Sequence, residues 1–273
     1  MKILLSQIIQ KNKRSFSLGA LVVVSFLLLA GQQSMALWFG EDVPPDRPVV
    51  VELFTALGCP ACPPAEIYLG QLAEHKDVIA LALHVDYWDK NRKDPYGSKY
   101  HTARQLQYQK TIGSRVYTPQ MIIDGEYQTV GSRTSSVEKF IRKAKRSAHD
   151  SIPIIITRDK IGIQIVAGKD GMKESNPLDV WLFALAPNKE IQASGRRYGG
   201  RGYIGVNIVQ ELSFIGQWQQ GAQRFSLPIK AKNPNQLQFA VVIQDRKSGK
   251  IHGASILRAK GKIAQKSVTA EAK

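Results

Sequence analysis

Cysteine is nearly absent from this sequence: 273 residues hold two, Cys59 and Cys62, both inside the stretch GCPACPP at positions 58–64. A scaffold stapled by disulfides is thereby excluded, because a bridge between these two closes only four residues and removes little disorder from the unfolded chain. No second cysteine pair and no His-x-x-x-His spacing occurs, so no ready-made zinc motif is present. The apolar run at 18–30 is about thirteen residues, too short to span a bilayer comfortably. No cysteine follows it closely, which argues against a lipoprotein anchor. Acidic residues are also few, 22 Asp and Glu against 38 Lys and Arg, and no acidic tail balances the formal charge of +16.

The short apolar run has a use of its own. Lys2, Lys11, Lys13 and Arg14 precede it without an acid, and Ser34, Met35 and Ala36 place small residues where a signal peptidase reads. Residues 1–36 are therefore expected to be a secretory signal peptide cleaved near Ala36, leaving a secreted or periplasmic protein; an uncleaved membrane anchor is the alternative. Removing those four basic residues leaves about +12 on some 237 residues, enough chain for two modest domains. In that compartment the excess charge suits anionic envelope surfaces or acidic partners, whereas nucleic acid is poorly placed to be a target.

Residues 48–54 form a β-branched apolar run that reads as a buried strand. Past the cysteines, Pro63 and Pro64 suit a helix start, and Ala65, Tyr68, Leu69 and Leu72 recur at helical spacing. Residues 78–85 read as a second strand covered on both faces, which makes a βαβ unit. A helix at about 99–112 follows, then a hairpin at 121–130 turning at Asp124-Gly125, then a helix with capping-box spacing between Ser135 and Glu138. Its apolar stripe is Val137, Phe140, Ile141 and Ala144. From 152 onward short strands at 152–157, 161–166, 180–186, 224–229, 237–243 and 251–257 alternate with turn residues and show no convincing helix. The expected organisation is a domain at 46–150, a β-rich domain at 151–260 with its boundary near Asp150, and a mobile tail at 261–273. There is no internal repeat.

In a βαβ unit the loop after the first strand lies at the carboxyl edge of the sheet, where open α/β sheets carry their chemistry. Cys59 at the amino end of a helix is expected to be the attacking thiol, favoured as a thiolate there, with Cys62 one turn on as the resolving thiol. His84 ends the second strand beside that loop and has the chemistry to pass protons; the other reading is a buried histidine satisfied by Asp86 or by a carbonyl. Tyr87 and Trp88 are expected to pack under the loop. Cys59, Cys62 and His84, with Asp86 or His101 in reserve, form the competing metal reading, a zinc or copper site on a non-catalytic binding protein; peptide binding without turnover is the same class. No cofactor beyond the cysteine pair is expected, and the partner expected is a thiol- or disulfide-containing protein or small molecule. The glycine-rich basic stretch Arg196 to Gly202 and the basic face of Lys139, Arg142, Lys143, Lys145 and Arg146 are read as surface.

The order strand, Cys-x-x-Cys, helix, strand, helix, Thr118-Pro119, hairpin, helix resembles the thioredoxin fold. That resemblance implies an α/β thioredoxin-like fold followed by a smaller antiparallel, sandwich-like β-rich domain. It implies a cis bond before Pro119, packed beside the reactive disulfide. It also implies a buried acid serving the resolving thiol, a part for which Glu52 is the similar residue. The blocks VVVELFTALGCPACPPAE, VIALALHVDYWD and VYTPQMIIDG are similar to the secreted proteins collected as domain of unknown function 1223. Many members have two serines between the cysteines where this chain has Pro60-Ala61, which preserves the thiols.

Overall fold

The structure is a computed structural model, and it describes residues 47–90, 92–159, 162–192, 202–229 and 237–259. The expected signal peptide, the tail at 261–273 and most of the 196–202 stretch lie outside these residues. Among the described residues no helix is long and apolar enough to cross a membrane.

The run VVVELFT forms β1 (Val49–Thr55), buried at every position. Helix α1 (Pro63–Leu72) crosses over to β2 (Val78–His84), which pairs in parallel with β1 from Val49↔Val78 to Thr55↔His84. Helix α2 (Lys99–Ile112) starts where the Ser98 hydroxyl accepts from the Tyr100 amide at 3.2 Å, and ends at Gly113 in the left-handed region. The hairpin of β3 (Gln120–Ile123) and β4 (Tyr127–Val130) adds antiparallel to β1, and α3 (Thr134–Ser147) follows. This first sheet has the order β2-β1-β3-β4.

Alternation along β1 and β2 divides the core in two. Val49, Val51, Leu53, Ala80 and Ala82 face one way, against Ala65 and Leu69 of α1 and Val137 and Ile141 of α3. Val50, Phe54, Ile79, Leu81 and Leu83 face the other, against Tyr108 of α2 and against Phe183, Leu185, Val209, Ala240 and Val242 from the carboxyl-terminal half.

That half consists of β5 (Ile154–Arg158), β6 (Gly162–Ala167), β7 (Lys173–Leu185), β8 (Lys189–Gln192), β9 (Gly202–Gly205), β10 (Val209–Gln220), β11 (Gln223–Pro228), β12 (Gln238–Gln244) and β13 (Ile251–Leu257). A second sheet, β10-β7-β12-β13, covers the first; a third, β11-β6-β5, packs on its far side through Ile163, Ile165, Val180, Leu182, Trp218, Val241 and Ile243. Strands β8 and β9 form a separate hairpin.

The expected fold class is corrected by this architecture. Among the described residues, thirteen strands in four sheets stand against three helices of 10, 14 and 14 residues. The molecule is predominantly β and is not an α/β thioredoxin-like fold with a smaller β-rich appendage. The physical reason lies in the second face of β1 and β2: its apolar residues are covered largely by strands of the second sheet, so sheet-on-sheet packing takes the place that helices hold in a doubly covered α/β layer.

Candidate functional site

The cysteine loop joins β1 to α1. The helix begins at Pro63, Cys62 is its N-cap residue, and Cys59 lies one turn ahead of it. The two sulfurs form a disulfide with Cα atoms 5.5 Å apart. The Cys59 amide donates to the Ala56 carbonyl at 3.1 Å and the Cys62 amide to the Cys59 carbonyl at 3.2 Å, so the loop is two consecutive tight turns. Pro60 and Ala61 at its tip are exposed, whereas Cys59 and Cys62 are 1% and 0% exposed and belong to the apolar cluster shared with Phe54 and Leu83.

The segment after β2 approaches that loop and carries the 117–120 segment with it. A Cβ at Gly58 would lie 3.0 Å from the Trp88 carbonyl, so glycine permits the close approach of the segment after β2. Trp88 Nε1 donates to Thr118 Oγ1 at 2.8 Å, and the Thr118–Pro119 peptide bond is cis, as the resemblance implies. Pro119 is buried, and its carbonyl accepts from the Gly131 amide at 3.0 Å. Gln105 bridges the Tyr117 carbonyl and Gln120 Oε1, both at 2.8 Å, and accepts from the half-exposed Tyr87 hydroxyl. Trp88 thus packs, while Tyr87 stands partly in solvent.

His84 and Glu52 lie on opposite faces of the first sheet, because Thr55 and His84 share one side of the alternation and Glu52 and Phe54 the other. His84 Nδ1 is 2.8 Å from Asp94 Oδ2, and both side chains are fully buried. Asp94, rather than Asp86, is therefore the partner; it also accepts from the amides of Leu57 in the cysteine loop and of Tyr96, at 2.8 and 2.9 Å. Asp86 instead accepts from the Thr102 hydroxyl at 2.6 Å. Burial opposes the charged imidazole, but the Asp94 hydrogen bond and the nearby Glu66 and Asp94 charges prevail, and the His84 pKa rises above its ordinary value. Hydrogen bonds from His84 and from two amides outweigh burial at Asp94 and lower its pKa. His84 Nε2 is buried with no hydrogen-bond partner among the described residues. His101 Nδ1 donates to the His84 carbonyl, 2.8 Å away, and desolvation lowers the pKa of the ring to about 4.

Glu66, four residues after Cys62, is 3% exposed. It accepts from Thr55 Oγ1 at 2.5 Å and from the Tyr203 hydroxyl of β9 at 2.7 Å. Burial, then the Glu66 charge, raises the Tyr203 pKa. The β9 segment is held here by the Ala82 amide donating to the Asn207 carbonyl at 3.1 Å and by Asn207 Nδ2 donating to the Ala80 carbonyl at 2.8 Å.

Glu52 is bound on its own face. Arg104 of α2 grips it through Nε and through Nη2 at 2.9 Å, and the Tyr108 hydroxyl donates to it at 2.5 Å. Gln244 of β12 donates to that hydroxyl at 3.0 Å, and the guanidinium sits 5.0 to 5.5 Å from the ring centroids of Phe183, Tyr108 and Trp181. The pairing is with an arginine, and every oxygen of the carboxylate is engaged.

The structure brings Cys59 and Cys62 together, and places the Pro119 and His84 segments against the same loop through Trp88 and Asp94. Glu52 is turned into a separate network. Glu66, Asp94, Thr55 and Tyr203 were not anticipated. Glu66 was legible as an acid one helical turn after Cys62; Tyr203, 137 positions from its partner, had no local signal. For the metal reading, no group of three His, Cys, Asp or Glu side chains able to hold an ion occurs among the described residues. On α3, Lys145 pairs with Asp77 and Arg142 lies 3.8 Å from Glu138, while Lys139 and Lys143 are exposed. A cleft lined by Ile163, Leu182, Leu227 and Phe239 lies between the second and third sheets, away from the cysteines.

The family described as Protein of unknown function (DUF1223) matches residues 50–244, which takes in the cysteine loop, both buried carboxylate networks and most of the second sheet. The solved structure of Protein AGR_C_4864 from Agrobacterium tumefaciens is similar at 27% identity and a TM-score of 0.67, over 78% of this chain and 95% of that one. HBP35 of Porphyromonas gingivalis is similar in fold, at 15% identity and a TM-score of 0.56, over 78% of this chain and 75% of that one. No curated protein matches.

Proposed function

The chain belongs to the DUF1223 family, and on that premise we propose that it is a secreted or periplasmic thiol-disulfide oxidoreductase whose working group is Cys59–Cys62. The observation that carries this reading is the position of the disulfide. A bridge closing four residues contributes little as a cross-link, yet this one sits where β1 ends and α1 begins, with the segment after β2 against its loop and the 117–120 segment carried by that one.

In this reading Cys59 forms the bond with the substrate and Cys62 resolves it. Pro119 shapes the surface beside the loop. His84, bound to Asp94 and carrying an Nε2 without a partner among the described residues, has the requirements of a buried proton carrier; Glu52, clamped by Arg104, does not. Because both sulfurs are buried, substrate must displace the exposed Pro60-Ala61 tip or the Trp88 segment to reach them. Substrates are thiol- or disulfide-containing proteins or small molecules, and cleavage near Ala36 releases the mature chain to an envelope where its positive charge meets anionic surfaces.

Trapping tests the reading. A Cys62→Ser variant challenged with a small disulfide should accumulate a mixed disulfide on Cys59, visible as an added mass removed by reductant. A Cys62→Ser chain that stays unmodified while folded defeats it. Sequencing the amino terminus of the exported protein checks the cleavage position.

A further inference from the structure

The surroundings of the disulfide say which way electrons flow. A helix start ordinarily offers free amides to an anion, but here they are missing or spent. Pro63 and Pro64 occupy the first two helical positions and carry no N–H. The next two amides, of Ala65 and Glu66, already donate to the Cys62 carbonyl at 2.9 and 3.1 Å, and the Cys62 amide is taken by Cys59.

Charge adds to the effect. The acid of the first turn is the buried Glu66, which occupies the favourable end of the helix itself. Asp94 is bound to the amide of Leu57 within the cysteine loop. Among the described residues, Arg104 is bound to Glu52, Lys93 to Asp89, and Arg92 to the Gln192 carbonyl. His84 is bound to Asp94 and feels the charge of Glu66. A sulfur anion at Cys59 or Cys62 would be buried among apolar side chains, with the helix-start amides missing or spent and, among the described residues, no cation bonded to the loop, whereas the neutral disulfide loses nothing by burial.

We propose that the Cys59–Cys62 couple is poised as a reductant: its disulfide is favoured over its dithiol, so the protein delivers electrons to substrate disulfides and depends on an external dithiol donor to be recharged. The inference rests on the exchange reading above and gives it a direction. In the forward step the Cys59 thiolate attacks one sulfur of a substrate disulfide; that S–S bond breaks and the departing sulfur takes a proton. Cys62 then loses its proton and attacks Cys59, restoring the Cys59–Cys62 bond and releasing the second substrate sulfur as a thiol. The substrate has gained two electrons and two protons, and the pair has lost them. Recharging runs the same exchange against the donor, whose two thiols become a disulfide. The class of reaction upstream is therefore dithiol supply, and the products passed downstream are protein or small-molecule thiols.

The test is an equilibrium titration of the full chain, first in reduced and oxidised glutathione and then in reduced and oxidised dithiothreitol, with thiols alkylated and counted by mass. The expected result is a chain that stays disulfide-bonded through the glutathione series and titrates with two electrons in the dithiothreitol series. Glu66→Gln, which removes the charge at constant size, and Pro64→Ala, which restores an amide at the second helical position, should each move the equilibrium constant toward the dithiol about tenfold. Half-reduction inside the glutathione series, or no shift in a folded Glu66→Gln or Pro64→Ala chain, overturns the inference while leaving exchange intact. A disulfide that dithiothreitol opens only on unfolding overturns the exchange reading instead, and the direction with it.

Discussion

Glu52 and Glu66 are both buried carboxylates within reach of the same sheet, and their partners differ in kind. Glu52 is held by the charged fork of Arg104 and by Tyr108, whereas Glu66 is held by two neutral hydroxyls, Thr55 and Tyr203. The first arrangement closes its own charge and ties α2 to β1 and to the second sheet. The second receives no hydrogen bond from a cation among the described residues and lies one turn from Cys62. Charge balance, more than burial, separates a carboxylate that braces the fold from one that sets the chemistry of its neighbours.

The largest effect should come from breaking the balanced pair. Arg104→Ala leaves Glu52 buried and uncompensated and is expected to cost about 3–5 kcal/mol in urea unfolding, whereas Arg104→Leu combined with Glu52→Leu should recover most of that loss. A single variant as stable as the parent would remove the distinction drawn between the two networks. On the other face, Tyr203→Phe deletes one of two donors to Glu66 and should cost about 2 kcal/mol, together with a changed alkylation rate of the reduced cysteines; Arg104→Leu with Glu52→Leu should leave that rate unmoved. Trp88→Phe removes only the bond to Thr118 and should cost about 1 kcal/mol.

The smallest effects are in pH, and the two histidines of this region have opposite signs. The folded pKa of His84 lies above its unfolded value, so its contribution is full below the unfolded pKa and is lost as pH rises through the raised one. His101, lowered to about 4, stays neutral in the fold while the unfolded chain takes up a proton, so stability falls as pH drops from about 6.5 toward 4. Thermal unfolding of His101→Gln should lose less stability on acidification than the parent, and His84→Asn should lose less on passing to neutral pH. Identical pH profiles in all three would contradict the assignments.

Much of the amino-terminal half was legible because its signals are local. The β-branched run before the cysteines, the tandem prolines at a helix start and the Asp124-Gly125 turn each dictate structure over a few residues, and β1, α1, β2 and the β3–β4 hairpin stand where expected. Strand β10 was missed: VQELSFIGQWQQ contains no apolar run, and register shifts at three points along its pairing with β7 break the alternation that marks a strand. The fold class went astray for a related reason. Val50, Phe54 and Ile79 announce a buried face, but nothing in them specifies whether helices or a second sheet will cover it.

The cysteine pair itself was visible at once, since two cysteines three apart are all the chain has. Its poise was not, because that depends on amides spent inside the loop and on Tyr203 and Asp94 arriving from distant segments. The expected helix-start activation of Cys59 is the clearest case. The helix begins four residues later, behind two prolines, so the expected donors are absent.

Whether Cys59 and Cys62 exchange electrons in the folded protein is decided by counting alkylated thiols by mass after brief exposure of the native full chain to dithiothreitol. Two labels per chain, lost again when a disulfide substrate is added and accompanied by no loss of folded structure, is the predicted result. A chain that takes up no label until it is unfolded would contradict the account.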